Sequence, residues 1–420
     1  MRPGITPAAA AGAGCGLILL AVALGFGRVD LAVTGVALLC AVALGYAATA
    51  AAADPEVTVD VLPGEPGTRS TAIGVRAAVR APGADLVLLS AVELGARTRA
   101  VAVPGHGQAT FDLDTVHTGD QELLRLRAVA IRADGTWTDT YPGRTRAVIE
   151  PRARALPFLP LSRVPTGLTG AHDAPRPGDG GEFRDIHPFA SGDRPARIDW
   201  KATARLARRP GDLFVRRTQA TSDIDLALVL DDGDDITGMV GDWVRGDRSR
   251  QAPTSMDVAR EAAWSLACAY LGTADQVSFQ VLSRAGSAVP RGSGARHRER
   301  LRAAICAVTP QQRLSRSRTP LVPRGALVVL LSTFLDDETV RLIGLWRAAG
   351  HRVLAVDTLP QLRSERLTAP ELVASRIVLG ARSDRLAELR AVGADVLQWD
   401  TDPGLRTAAL RSMTRMRRRR

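Results

Sequence analysis

Lysine is almost missing from this chain. Of 55 basic residues only Lys201 is a lysine, and the other 54 are arginines. A Walker A loop needs Gly-Lys-[Ser/Thr] to hold nucleotide phosphates, but Lys201 stands in Asp199-Trp200-Lys201-Ala202, so no P-loop ATPase is encoded. The Val-Ala-Ile-Lys strand of protein kinases is absent too. A pyridoxal-phosphate enzyme would have to build its Schiff base on Lys201 without a supporting signature. A coding bias toward arginine accounts for the skew without any functional cause. Aromatics are also scarce, at 4% of residues, so the cores must be built from Ala, Val and Leu. The four cysteines, Cys15, Cys40, Cys268 and Cys306, show neither metal spacing nor a disulfide framework, which favours a reducing compartment. HExxH, GxSxG and a strand-to-helix GxGxxG do not occur, and the six histidines are scattered.

What is present begins with two long apolar runs. Ala8 to Gly27 and Leu31 to Ala53 are separated only by Arg28, Val29 and Asp30. Each reaches the roughly 20 residues a helix needs to cross a bilayer. The runs are apolar on every face, and a second full-length run follows the first. They therefore read as a transmembrane hairpin (helices about 8–27 and 31–53, within domain 1–53) rather than as a signal peptide. The positive-inside count around the hairpin is balanced. The net charge of +11 is concentrated elsewhere: residues 54–150 carry −3 and the remainder after Glu150 carries +13. That basic bulk and the Arg-rich tail (414–420) suit an anionic cytoplasmic leaflet, so the soluble domains are expected in the cytoplasm of a two-helix, multi-pass membrane protein.

From Glu56 to Glu150 apolar residues alternate with polar ones, as in Val57-Thr58-Val59-Asp60-Val61. Turn signals at 63–67, 82–83, 104–107 and 133–135 punctuate the alternation. This predicts an antiparallel, immunoglobulin-like β-sandwich over 54–150, serving as a spacer or docking surface. Residues 151–181 hold six prolines and five glycines and read as a linker or an extended strap.

The next region, 182–221, is the most distinctive. Gly192-Asp193 suits a turn, and Asp199 suits the N-cap of a short helix starting at Trp200. Lys201 and Arg205 would share a helix face, with Arg208 and Arg209 one turn further and Arg194 and Arg197 just before. Glu182, Asp193 and Asp199 are interleaved with these cations. Two readings stay open: an internal ion-pair network, or a surface that receives a carboxylate or phosphate. The stretch resembles the signature of the family called domain of unknown function 58, which runs Gly-x-Glu-Phe, Leu-Arg-x-Tyr and Gly-Asp-x-x-Arg-x-Ile-x-Trp-x-x-x-Ala-Arg. Glu182, Phe183, Gly192, Asp193, Ile198, Trp200, Ala204 and Arg205 match it and Arg197 stands one place after its arginine, whereas His187 and Phe189 replace the arginine and tyrosine of its middle part. The resemblance implies partner binding by Glu182, Phe183, Gly192, Asp193, Arg197, Asp199, Trp200, Lys201 and Arg205.

Residues 222–413 alternate apolar strands with helices, which predicts an α/β doubly wound sheet whose site lies at the strands' carboxyl ends. The strands expected are 223–231, Val277–Leu282, Ala326–Ser332, Arg352–Asp357 and Asp395–Trp399. The helices expected are Met256–Leu271 (with Ser255 as N-cap), His297–Val308, Asp337–Ala349 and a last one through Arg411. The resemblance further implies a von Willebrand A-like domain, in which an Asp-x-Ser-x-Ser loop and a distant Asp hold Mg²⁺. Here Asp231 matches, position 233 is Gly, Asp235 replaces a hydroxyl, and Ser332-Thr333 stands in place of Ser-Asp. Mg²⁺ held at a degenerate site of Asp231 and Asp235, and no metal at all, are both open readings.

Together these features predict a multidomain membrane protein acting as a non-enzymatic scaffold or adaptor. The resemblance implies a MoxR-type AAA+ ATPase as its partner in envelope-related or complex-assembly work. The alternatives are a polyanion or nucleic-acid binder, favoured by the +13 balance, and a metal-dependent hydrolase using Asp231, Asp234 and Asp235. Acidic residues throughout and few aromatics for base stacking weigh against nucleic acid.

Overall fold

The computed structural model describes residues 4–5, 7–50, 56–62, 65–66, 71–93, 98–132, 136–160, 172–191, 193–245, 252–283, 289–311, 319–363 and 367–415. The chain divides into two compact units, Met1–Ile149 and Glu150–Arg420.

The first unit opens with a two-residue strand β1 (Gly4–Ile5), followed by helices α1 (Pro7–Phe26) and α2 (Val29–Ala50). Ala9–Phe26 and Val29–Ala48 both have a mean hydropathy of 2.1 and are long and apolar enough to cross a membrane. Leu17, Ile18, Leu24, Val33 and Leu44 are all exposed, so neither helix has the polar face that water would require. The helices touch through Gly16 and Gly35. A Cβ on Gly35 would lie 2.8 Å from the Gly16 carbonyl oxygen, the close approach that small residues permit between apolar helices. In the turn, Arg28 grips Asp30 with two hydrogen bonds of 2.9 and 2.6 Å, which neutralises the hairpin's tip.

Two antiparallel sheets complete this unit. One contains β2 (Glu56–Val61), β3 (Glu65–Pro66), β4 (Thr71–Arg80) and β7 (His106–Thr115), with β4 central. The other runs β1-β9-β8-β5-β6, adding β5 (Leu86–Glu93), β6 (Thr98–Pro104), β8 (Gly119–Ile131) and β9 (Thr136–Ile149). The period-two pattern works as the sequence suggests. Val75, Ala77 and Val79 of β4 and Phe111 of β7 bury one face against Val87 and Leu89 of β5 and Leu124 and Leu126 of β8, giving a single core between the sheets. Of the turn signals, 63–64, 67 and 133–135 lie outside the described residues.

The second unit is a six-stranded sheet in the order β14-β13-β12-β15-β16-β17. Its strands are β12 (Asp225–Leu230), β13 (Gln276–Val281), β14 (Val289–Gly292), β15 (Leu327–Ser332), β16 (Arg352–Asp357) and β17 (Asp395–Gln398). All neighbours are parallel except β14, an antiparallel edge. Every residue of β12 and β15 is buried, because helices cover both faces. After a short α4 (Val240–Arg245), α5 (Ser255–Gly272), α6 (Ala295–Cys306) and α9 (Pro403–Arg415) close one core, and α7 (Asp337–Ala348) and α8 (Ala369–Ala391) close the other. α5 starts one residue earlier than expected. Thr254, not Ser255, is its N-cap, because Asp257 at the third helical position returns the hydrogen bond and completes a capping box.

The Pro/Gly-rich stretch 151–181 contains two different things. Residues 150–160 form an extended strap on the α/β unit: Leu156, Phe158 and Leu159 pack against its core. Arg154 pairs with Glu261, and the Tyr270 hydroxyl donates to the Pro160 carbonyl. Residues 161–171 lie outside the described ones. Strand β10 (His172–Pro188) then pairs with β11 (Phe214–Ser222), absorbing its prolines and glycines as register shifts rather than as a linker. Residues 416–420 of the tail are likewise outside the described ones.

Candidate functional site

Two places in the second unit bring chemistry-bearing residues together. The first is the signature segment, a lobe on the β10–β11 ribbon. After Phe189, whose N–H donates to the Leu213 carbonyl, the chain makes a 3₁₀ turn (Pro195–Arg197), and Ile198 then bridges Val215. Helix α3 (Trp200–Leu206) follows, capped as expected by Asp199, which accepts from the Ala202 N–H at 2.9 Å. Asp193, Asp199 and Asp212 serve the backbone of the segment. Asp193 accepts from the Ala190 N–H at 2.9 Å and pairs with Arg217 at 3.5 Å. Those two contacts, the backbone one foremost, hold its carboxyl below the usual range. Asp212 accepts from the N–H groups of Arg208 and Arg209 at 3.1 and 3.0 Å. Those two arginines stand beyond the end of α3, not on its face: the helix stops at Leu206 because Ala207 leaves the helical conformation. That corrects the helical ridge expected from spacing.

The outward side is cationic and aromatic. Trp200 is 68% exposed, and Lys201, Ala204 and Arg205 beside it are exposed as well. With 3.6 residues per turn these four span a continuous arc of roughly 140°. The opposite side of the helix is anchored by buried Ala202 and by Thr203, whose hydroxyl accepts from the Phe214 N–H. Phe183 is half-exposed with the Arg216 guanidinium 5.4 Å above its ring, and Arg197 closes the 3₁₀ turn. Gly192 and the side chain of Glu182 lie outside the described residues.

The second place is the carboxyl end of the sheet. There the order turns outward on either side of β12 and β15, the switch point where open α/β sheets leave a crevice. Asp231 follows β12 directly and accepts from the Ser332 hydroxyl at 2.6 Å and from the Gly233 N–H at 3.1 Å. The Thr333 hydroxyl donates to Asp234 at 2.6 Å, and Ser283 donates to Asp232. Next in the loop, Phe334 is fully buried at a φ of 55°, left-handed backbone that costs a side-chain-bearing residue roughly 1–2 kcal/mol. Arg382 of α8 donates from Nε to the Thr333 carbonyl at 2.7 Å and pairs with Asp357 at the end of β16. Burial pushes the Asp357 carboxyl up, and Arg382 opposes that rise.

This donor set does not fit the Mg²⁺ site that the resemblance implies. A hard octahedral ion needs several oxygen lone pairs aimed at one point. Here Asp231, Asp232 and Asp234 each receive a hydroxyl proton, and position 233 has no side chain. Among the described residues no three His, Cys, Asp or Glu side chains converge where a metal could sit. Sequence reasoning singled out Asp231 and Asp235 but missed Arg382 and the hydroxyl latches, since Ser283, Ser332 and Arg382 meet Asp232, Asp231 and Asp357 only through the sheet's topology.

No curated protein and no solved structure matches the chain. Residues 185–368, from within β10 to the N-cap of α8, match the family model described as "Protein of unknown function DUF58", and that segment is what the chain shares with the family.

Proposed function

We propose that the protein is a membrane-anchored, non-enzymatic scaffold whose α/β unit docks a protein partner at the carboxyl end of its sheet. The observation that carries this reading is the pairing of a switch point latched by hydroxyl hydrogen bonds with an apolar helix face beside it. Arg382 ties α8 to the Thr333 loop, and earlier on α8 the side chains of Val373, Ile377 and Val378 are exposed. Asp231 and Asp234 already accept hydrogen bonds from hydroxyls, which makes them poor general bases and nucleophiles, so a hydrolase site of Asp231, Asp234 and Asp235 is not proposed. An exposed apolar stripe next to polar loops is what a docking partner covers.

The finer architecture belongs to the same proposal. The sheet's order and its single antiparallel edge support a von Willebrand A-like domain, and the two facing sheets support an immunoglobulin-like spacer. Anchoring is supported by α1 and α2. Pairing of Gly4–Ile5 with β9 supports a hairpin entered and left on the same side as the β-sheets. The basic balance supports a cytoplasmic location for both soluble regions. The family resemblance supports a MoxR-type AAA+ ATPase as the partner, in envelope-related or complex assembly.

Crosslinked affinity capture from native membranes tests this. Wild type should recover the ATPase, and Val373→Asp with Ile377→Asp should lose it. Recovery of no ATPase from wild type, or equal recovery by both, would sink the reading.

A further inference from the structure

We infer that the outward face of the signature lobe is a docking site for anionic phospholipid headgroups, separate from the partner site at the sheet's carboxyl end. Between Phe189 and Asp212 the chain carries six cationic side chains against three aspartates. All three aspartates accept hydrogen bonds from backbone N–H groups of the lobe itself: Asp193 from Ala190, Asp199 from Ala202, and Asp212 from Arg208 and Arg209. Their carboxylates hold the loops in shape, while Arg194, Lys201, Arg205, Arg208 and Arg209 are exposed. The lobe therefore offers positive charge outward.

The apolar part of the face points to lipid rather than to an acidic peptide. Trp200 and Phe189 are exposed on a short helix and the loop before it, whereas peptide recognition uses grooves that bury the anchor side chain. An indole beside basic groups suits the bilayer interface, where the ring sits at headgroup level and cations meet phosphates. The occupant is also supplied by the chain itself. α1 and α2 are long and apolar enough to enter a bilayer, which would hold its surface at high effective concentration around the rest of the molecule. The net charge of +13 after Glu150 has the sign that such a surface attracts.

The single lysine makes the face readable. The full chain is reconstituted into nanodiscs of phosphatidylcholine alone, or of phosphatidylcholine mixed with phosphatidylglycerol. Lys201 is then acetylated with a water-soluble reagent, with the terminal amine as internal reference. Lys201 should react about fivefold or more slowly in the anionic discs, and high salt should remove the difference. Arg205→Gln with Arg208→Gln should lose most of the protection. Brominated phosphatidylglycerol should quench the fluorescence contributed by Trp200, taken as wild type minus Trp200→Phe. Equal acetylation in both discs, or no quenching of Trp200, overturns the proposal. Protection in neutral discs by added polyglutamate or a single-stranded oligonucleotide, with none from anionic lipid, overturns it in favour of a protein or nucleic-acid site. Capture of the ATPase reads a different surface, so either proposal can fail alone.

Discussion

Arg382 ties α8 to the sheet's carboxyl end. It pairs with Asp357, holds the Thr333 carbonyl, and does both from a largely buried position. Replacing it by glutamine leaves a buried carboxylate without its counter-charge, which costs about 3–5 kcal/mol. The pH dependence has a definite sign. Burial raises the Asp357 pKa in the folded state, so its contribution to stability is fully present below the unfolded carboxyl value and is lost as pH rises through the folded one. Removing Arg382 pushes that folded value higher still. Arg382→Gln should therefore lose most stability near neutral pH and much less in acid, measured by denaturant unfolding across pH, and adding Asp357→Asn should recover part of the loss. A penalty independent of pH would contradict the assignment. Little of this was legible in the sequence. Arg382 is one of 54 arginines, and its partners lie 25 and 49 positions away, joined only by strand order. Asp199 was legible, because a helix cap is a local contact between residues three apart.

Elements were legible in proportion to how completely one face is buried. β16, with five of six residues buried, was bounded correctly from its apolar run. α8 was missed although it has 23 residues, because only Ser375, Leu386 and Leu389 are buried and no apolar period marks it. β14 was missed for a related reason: it is a four-residue edge strand containing Pro290. The apolar hairpin lies at the other extreme, being visible in composition alone. Its packing is a sharper matter, since Gly16 and Gly35 let the two backbones touch. Gly35→Val should force α1 and α2 apart and cost about 1–3 kcal/mol. Titration with a denaturing detergent should show earlier loss of helix contact, read as faster alkylation of a cysteine placed at buried Ala23, with the exposed Cys15 and Cys40 replaced by serine. Unchanged reactivity would mean that the hairpin tolerates a Cβ there.

On the scale of the whole chain, two units fold around separate cores, and the strap belongs to the second. Phe158 sits under Arg411, whose guanidinium is 5.5 Å from the ring, and the Thr414 hydroxyl reaches the Leu159 carbonyl. The strap is thus stitched to the last helix as well as to α5. A fragment of residues 150–420 should unfold cooperatively, whereas one beginning at 172 should be weaker by on the order of 3 kcal/mol, the scale of two or three part-buried apolar side chains. Equal denaturation midpoints would show that the strap is a passenger.

The amino-acid sequence alone determined what depends on neighbours along the chain. The membrane-length apolar hairpin, the period-two β-region, the parallel strands, the Asp199 cap and the family signature all rest on local pattern, and local pattern survives without knowledge of what packs against it. Only the tertiary structure decided what depends on residues far apart. It tied the carboxylates at the switch point to Ser283, Ser332 and Thr333, made a strap of 150–160 and a strand from His172, and ended α3 before Arg208. It also gave the single lysine its place on an exposed face beside Trp200. Side chains brought together by sheet order and burial choose their partners in space, and one-dimensional spacing carries no record of that choice.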